Sequence, residues 1–253
     1  MDYPIIYDKT YITENCEFAF SSGSGLEEKL YDRNPDTQWL SSGETDEDGD
    51  YSTYIEISLK EGTSETNRTF DYLILLNTNI KAYRLKGWGG SMWSTIFTET
   101  NNSSTNIIYQ LVAPYTFQRI RIEIDKTISA GQEKKIGELI LTQKLYTFTD
   151  YLSSYKPYWA VKEDNDRDSN YKLNSWYLQK KYICEWSMEF QNSSQRDSLI
   201  DIFKDKNKFL WQPEPEAVPQ DIFLCRWIQN FDRSYTRLMK TVGYNLSGRF
   251  EEI

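Results

Sequence analysis

The sequence predicts a mostly all-β protein with two parts. Three observations support this: many short segments alternate apolar and polar residues, turn residues such as Gly, Asn and Ser separate these segments, and aromatic residues are abundant. The 253 residues include 19 Tyr, 12 Phe and 8 Trp. Aromatic side chains favour β-sheets, where a ring can be buried while its polar atom stays hydrated. The length is enough for two ordinary domains.

The composition of residues 1–11 predicts an extended N-terminal arm. Pro4 disfavours a helix here, and the apolar run Ile5-Ile6-Tyr7 has the composition of a short strand. Such a strand pairs either with the sheet of a neighbouring molecule or with a sheet of its own chain. The sequence leaves both alternatives open.

Residues 12–145 predict a β-sandwich. Ile55, Ile57 and Leu59 occupy every second position, which is the pattern of a half-buried strand. Residues 72–76 are apolar on both faces, as in a central strand. Similar strand patterns occur at residues 119–124 and 139–141. Many short strands with turns between them, and no long segment of helical periodicity, are typical of a sandwich.

Residues 146–175 predict a linker or long surface loop, because the polar run 162–170 contains no periodic apolar residues. Residues 176–253 predict a second β unit, since residues 182–190 are apolar at every second position. One helix is expected after Asn192-Ser193-Ser194, which can cap its first turn. Its apolar face is formed by Leu199, Ile202 and Phe203.

The composition excludes several functions. The chain has no histidine, which removes His-dependent nucleophilic catalysis and imidazole metal ligands. It also has no Gly-rich phosphate loop and no nucleophile elbow, so we expect no enzyme activity. The net charge of −9 argues against nucleic acid as a partner. No apolar run approaches the roughly 20 residues of a membrane helix, so membrane insertion is not expected.

The three cysteines are Cys16, Cys184 and Cys225. Their odd number and wide spacing argue against a disulfide framework. Cys184 and Cys225 lie in apolar strand patterns, so we expect buried free thiols. The first residues lack the basic and apolar regions of a signal peptide, which together with the cysteines favours a reducing compartment.

Residues 12–145 resemble a known family, the discoidin or coagulation factor 5/8 C-type domain. The resemblance rests on five segments in order, over about half of the chain. These segments are Phe20–Ser22, Asp32–Trp39, Tyr54–Leu59, Arg119–Ile122 and Ile136–Leu139. The resemblance implies a β-sandwich of the jelly-roll type. Several members of the family bind glycans, and some hold a structural Ca²⁺.

The resemblance also implies a possible structural Ca²⁺ site in this chain. Matched by position, its ligands would be Asp32, Asn34, Thr37 and Glu138. A hard cation prefers several oxygen ligands, and a tight turn rich in Asp, Asn and Thr supplies them. The family pattern has Gly where this chain has Arg33, a bulky and positively charged residue. The alternative is a turn without metal, held by bonds between side chains and backbone. No other cofactor is expected.

Two other segments have a functional and a structural interpretation. In the segment Trp88–Trp93, the rings either stack on sugar faces or pack into the core at a strand start. The acidic segment Glu44–Asp50 has alternating aspartates, but it lacks the spacing and the bidentate Glu of an EF-hand. We therefore predict a solvated loop there.

The second part resembles phage minor tail or distal tail proteins. The matching segments are Trp186–Phe190, the following helix, Phe209–Pro215 and Gly243–Ser247. The resemblance implies a tail-tube-like small β-sandwich or split barrel with one flanking α-helix. It further implies a homo-oligomeric ring that contacts other tail and baseplate proteins. An unrelated small α+β domain is the alternative.

The leading hypothesis is a structural component of a bacteriophage tail tip or baseplate, assembled in the host cytoplasm and located in the tail of the virion. In that hypothesis the discoidin-like part contacts neighbouring proteins or cell-surface glycans. The alternative hypothesis is a carbohydrate-binding module protein without catalytic activity. Both explain the many aromatic residues, which are common at binding interfaces.

Overall fold

The computed structural model describes most of the chain. The described residues are 3–23, 26–34, 36–45, 53–148, 152–167, 173–190, 197, 199–202, 204, 208–215, 218, 221–228, 232–238 and 241–252. The chain divides into two compact units. One unit is residues 10–144, and the other combines residues 1–9 with residues 145–253.

Most described residues lie in strands. The strands are β1 (Ile5–Tyr7), β2 (Glu17–Phe20), β3 (Trp39–Thr45), β4 (Thr53–Ser58), β5 (Lys60–Glu61), β6 (Ser64–Glu65), β7 (Arg68–Leu76), β8 (Ile80–Trp88), β9 (Trp93–Glu99), β10 (Ile107–Phe117), β11 (Arg119–Thr127), β12 (Glu133–Ile136), β13 (Glu138–Thr142), β14 (Lys144–Thr147), β15 (Leu152–Arg167), β16 (Leu173–Phe190), β17 (Lys208–Gln212), β18 (Phe223–Trp227), β19 (Asp232–Leu238) and β20 (Thr241–Glu252). A 3₁₀ helix spans Glu27–Leu30. Residues 197, 199–202 and 204 are helical. The mostly β fold class is therefore confirmed.

Residues 10–144 form a sandwich of two antiparallel sheets. One sheet has five strands in the order β2-β4-β11-β8-β9, and the other has three in the order β10-β7-β13. Two short ladders, β3 with β12 and β5 with β6, complete the unit. The predicted strands around Ile57, Ile74, Ile122 and Ile140 are confirmed.

The core of this unit lies between the two sheets. In β4 and β11 every second side chain is buried, because these strands cover the core with one face. Strand β13 is buried throughout, and the last five residues of β7 are buried as well. Ile57 and Ile122 from the larger sheet share one hydrophobic cluster with Leu73 and Leu139 from the smaller sheet. Burial of such apolar area is the main stabilising contribution.

Residues 1–9 and 145–253 form one eight-stranded sheet. Its order is β14-β1-β17-β18-β20-β16-β15, and β19 pairs with β20. The core on this sheet is largely aromatic, with Phe148, Trp186, Trp211 and Phe250 in edge-to-face contact. The sheet core includes Leu199 from the helical segment.

The predicted helix is present in part of its length. Leu199 is fully buried and Ile202 packs against the same core. The proposed capping residues 192–194 and Phe203 lie outside the described residues, as do residues 46–50 of the acidic segment.

The cysteine prediction is confirmed, because Cys16, Cys184 and Cys225 are free and buried. Burial raises the pKa of the Cys184 and Cys225 thiols, so they stay protonated at neutral pH. Within the described residues, no helix has the length and apolar character needed to cross a membrane.

Of the two alternatives for the arm, pairing within its own chain is found, because β1 pairs with β17 from Ile5 opposite Gln212 to Tyr7 opposite Leu210. One predicted boundary needs correction. The predicted linker 146–175 instead contains β15 and part of β16, which pair as a long antiparallel hairpin. Within the described residues, positions 183–190 of β16 also pair with β20. The polar run 162–170, which has no periodic apolar residues, lacks the local pattern that identifies a half-buried strand.

Gly87 in β8 gives a test of the sandwich packing. A Cβ atom there would lie 2.3 Å from the Phe117 ring, so we expect Gly87→Ala to destabilise the protein by about 1–3 kcal/mol through overpacking. Gly89→Ala is the matched control, since its Cβ meets no atom nearer than 3.8 Å. Urea unfolding followed by Trp fluorescence measures both. Equal stability of the two variants would contradict the packing described here.

Candidate functional site

The turn before β3 is held by its own side chains. The Asp32 carboxylate accepts hydrogen bonds from the Asn34 N–H (2.9 Å) and the Thr37 hydroxyl (2.6 Å). The Asn34 side chain accepts a bond from the Asp36 N–H, and the Asn34 carbonyl accepts one from the Thr37 N–H (3.0 Å). This is the turn chemistry expected of Asx residues.

Arg33 connects this turn to β13. Its φ is +63°, in the left-handed region where the family pattern has Gly. The Arg33 backbone N–H donates to Glu138 Oε2 (3.0 Å), and its guanidinium donates to Glu138 Oε1 (2.9 Å). Both carboxylate oxygens of Glu138 are thus engaged by one residue. These two bonds compensate for the left-handed backbone, which costs about 1 kcal/mol outside Gly.

Glu138 is almost completely buried, with 2% of its side chain exposed. Burial raises its pKa to about 7, although the Arg33 charge and the Arg33 N–H act in the opposite direction. Burial likewise lowers the pKa of Arg33, against the raising effect of Glu138. The Arg33–Glu138 pair holds the turn to β13. The charge of Glu138 changes near neutral pH, because its pKa is about 7.

The four predicted Ca²⁺ ligands are not arranged as an open cation site. Asp32, Asn34 and Thr37 lie together in the turn, but they bond to one another. Glu138 reaches the turn, yet its carboxylate is occupied by the Arg33 guanidinium. Within the described residues no group of three acidic or cysteine side chains converges on one point. The residues therefore do not fit Ca²⁺ in this arrangement, because the positively charged Arg33 guanidinium already pairs with Glu138.

A second candidate site is the solvent face of the five-stranded sheet. This surface, here called the outer face, carries Tyr54, Glu56, Lys86, Arg121 and Glu123. Their positions follow from the register, because Arg121 lies opposite Glu56 on β4 and opposite Lys86 on β8. Arg121 pairs with Glu56 at 2.7 Å, and Lys86 pairs with Glu123 at 2.6 Å. The outer face thus alternates donors and acceptors across neighbouring strands.

Aromatic rings lie on the same face, and two of them contact Arg121. The Arg121 guanidinium lies 4.3 Å from the centroid of Trp93 and 4.7 Å from that of Tyr54. Trp88 and Trp93, opposite each other in the β8–β9 ladder, have centroids 5.4 Å apart. We call Tyr54, Trp88 and Trp93 the aromatic platform. All three rings are half-buried, so each presents an accessible part.

The sequence found only part of this site. It singled out Trp88 and Trp93 but left open whether they pack in the core, and the structure places both outside the buried core. It missed Tyr54 and Arg121, since only the register of β4, β11, β8 and β9 brings them to these tryptophans. The Arg-Ile-Arg alternation of β11 was the available signal, because it predicts arginines on a solvent face.

Comparisons with known proteins returned structures but no sequence family. No protein-family model and no curated protein matches the chain. A family 32 carbohydrate-binding module of NanJ from Clostridium perfringens, in complex with galactose, is 14% identical; the match covers 55% of this chain and 99% of that one, with a TM-score of 0.44. Chitosan-binding module 2 of a Paenibacillus chitosanase/glucanase, in complex with chitotriose, is 20% identical over 50% and 95%, with a TM-score of 0.40.

A further carbohydrate-binding module from Clostridium perfringens, solved with GalNAc-β-1,3-galactose, is 15% identical over 53% of this chain and 99% of its own, with a TM-score of 0.42. These similar structures cover about half of the chain, as does the unit of residues 10–144. At such identities and TM-scores the likeness carries no argument about function. None of the three is described as a tail protein, and the tail role, the ring and the virion location stay predictions.

The buried Glu138 predicts a specific pH dependence. Its folded-state pKa of about 7 is above the ordinary value of 4.5, so the folded state binds the proton more tightly than the unfolded state. Stability should therefore fall as pH rises from about 4.5 to about 7, by on the order of 3 kcal/mol, and then level off. Glu138→Gln should remove this fall. The control Glu133→Gln, at an exposed position of β12, should retain the fall in stability. Urea unfolding from pH 4 to 8 compares the pH profiles of the two variants. Identical profiles would contradict the burial described for Glu138.

Arg33 predicts how the turn responds to Ca²⁺. In the natural sequence we expect no change in melting temperature on adding Ca²⁺, because the guanidinium occupies Glu138. Arg33→Gly removes this cation and relieves the left-handed backbone. Adding Ca²⁺ should therefore raise the melting temperature of this variant, because the ion can take the place of the guanidinium at Glu138. MgCl₂ at equal ionic strength is the control. A rise in melting temperature of the natural protein with Ca²⁺, reversed by EDTA, would show that Arg33 does not fill the site.

Proposed function

We propose that the unit of residues 10–144 is a non-catalytic carbohydrate-binding module and that its outer face, with the aromatic platform, contacts the glycan. The observation that carries the proposal is that Trp93 and Tyr54 lie against Arg121, and Trp88 against Trp93, on a solvent-facing sheet. Isolated exposed apolar side chains are common on proteins, whereas three clustered rings beside ordered charges are not.

The chemistry of this surface suits a sugar. A pyranose ring has an apolar C–H face that packs on an aromatic ring, and its edge carries hydroxyls that need both donors and acceptors. Arg121 and Lys86 donate, while Glu56 and Glu123 accept. Ion pairing with one another holds these four side chains in fixed positions, which lowers the entropy lost when a ligand binds.

The proposal selects the alternative of the two functional hypotheses. The tail-tip role concerns the other unit and its partners, and it is compatible with a glycan-binding module in the same chain. Other tail proteins, a homo-oligomeric ring and the virion as location are kept as predictions. Glycan binding can be tested without them, because it requires only the purified chain.

Glycan-array screening of the full chain tests the proposal, with titration calorimetry of galactose, chitotriose and the strongest hit. We expect binding that Trp93→Ala weakens at least about fivefold, which corresponds to the roughly 1 kcal/mol of an aromatic contact. Tyr11→Ala is the matched control, because Arg68 lies 5.6 Å from the Tyr11 ring in a similar pair away from the outer face. Circular dichroism confirms that both variants fold.

Two results would overturn the proposal. One is the absence of binding to every glycan on the array, with Ca²⁺ and with EDTA. The other is binding that Tyr11→Ala and Trp93→Ala weaken equally, since the outer face would then have no special role.

A further inference from the structure

The unit of residues 1–9 and 145–253 has a polar cavity that neither hypothesis uses. The cavity lies across β15, β16 and β20 and has a volume of about 240 Å³. The side chains at its edge are those of Lys156, Glu185, Ser187, Ser247 and Arg249. Its size suits one monosaccharide-sized group, since pockets for drug-sized ligands begin at roughly 300 Å³.

The strand register explains why a cavity forms on a sheet surface. Lys156 lies opposite Glu185, and Glu185 lies opposite Arg249, so three long side chains form one row across the strands. Two residues along, Ser187 lies opposite Ser247. The serines are short, and the sheet surface is therefore lower beside the charged row. The floor carries hydroxyls, and one wall carries two cations and one carboxylate.

The cavity has hydrogen-bond donors that nothing in the described part of the chain satisfies. The Lys156 ammonium and the Ser247 hydroxyl make no hydrogen bond or ion pair with any described residue. The Arg249 side chain is 36% exposed, and its Nε lies 3.6 Å from Glu185 Oε1. The exposed part of the guanidinium and the exposed Lys156 ammonium can therefore donate to an anion that enters the cavity.

Glu185 limits the charge that the cavity accepts. Its Oε1 accepts a hydrogen bond from the Tyr158 hydroxyl (3.3 Å) and lies beside Arg249. With Lys156 and Arg249 positive and Glu185 negative, the row has a net charge of about +1 at neutral pH. This balance suits a monoanion, because a second negative charge would be repelled by Glu185.

We infer that this cavity binds the carboxylate of a sugar acid, such as a uronic acid residue. The carboxylate accepts from Lys156 and Arg249, as charge-assisted hydrogen bonds require. The sugar hydroxyls contact Ser187 and Ser247 on the floor. This site is independent of the outer face of residues 10–144, and it gives the second unit a ligand of its own.

Titration calorimetry of the full chain with D-glucuronate at low ionic strength tests the inference. Glucose has the same hydroxyls but no carboxylate, and acetate has the carboxylate but no hydroxyls. An N-acetylated alanine dipeptide has the carboxylate of a peptide C-terminus instead of that of a sugar acid. We expect glucuronate to bind at least tenfold more tightly than each of the three. Lys156→Gln and Ser247→Ala should each weaken glucuronate binding at least fivefold.

Arg226→Gln is the matched control. Arg226 pairs with Glu251 at 2.6 Å in the same sheet, and it is outside the cavity, so its loss should leave binding unchanged. Equal binding of glucose and glucuronate, equal binding of acetate or the dipeptide, or no binding at all would each overturn the inference. Trp93→Ala separates this site from the proposed glycan surface, because that variant should bind glucuronate normally.

Discussion

The pairing of a buried carboxylate with a single arginine determines how residues 31–39 are held on the sandwich. Glu138 begins β13, whose other residues belong to the core, and Arg33 engages both of its oxygens. The chain then leads directly to Trp39, which is fully buried and donates from its indole N–H to the Gly23 carbonyl (3.0 Å). Phe20 of β2 stacks on Trp39 and thereby packs β2 against the start of β3. Losing Glu138 or Arg33 would leave an uncompensated group, which is far more destabilising than replacing both.

The ion pairs of the outer face have a different role. Their side chains are between 12% and 24% exposed, and partly exposed pairs contribute at most about 1 kcal/mol each. Stability therefore does not explain why these three strands, β4, β8 and β11, carry so ordered an arrangement of charges. Under the proposed glycan binding, these pairs instead present donors and acceptors in fixed positions beside aromatic rings, as a ligand with many hydroxyls requires.

The sequence predicts those features whose signal is local. Ile55 and Ile57 identify β4 because one face of that strand covers a core, and alternation follows from that burial alone. The hairpin of β15 and β16 has no such signal, because residues 162–170 are polar and contain no periodic apolar residues. The outer face depends on register across four strands, which no local pattern specifies. At the turn, the sequence identified Arg33 as the departure, but its contact with Glu138 joins residues 105 positions apart.

The path of the chain between the units has a consequence for synthesis. Strand β1 precedes the sandwich in the chain, but its two neighbours in the sheet, β14 and β17, both follow it. The residues of the sandwich are complete once residue 144 has left the ribosome, and domains generally fold as units during translation. Strand β1, apolar at Ile5 and Ile6, therefore has no strand partner until β14 and later β17 have been made. The sandwich is thus an insertion in the sequence of the other unit. Strand β1 joins its sheet only after the sandwich residues and the strands beside it have been made.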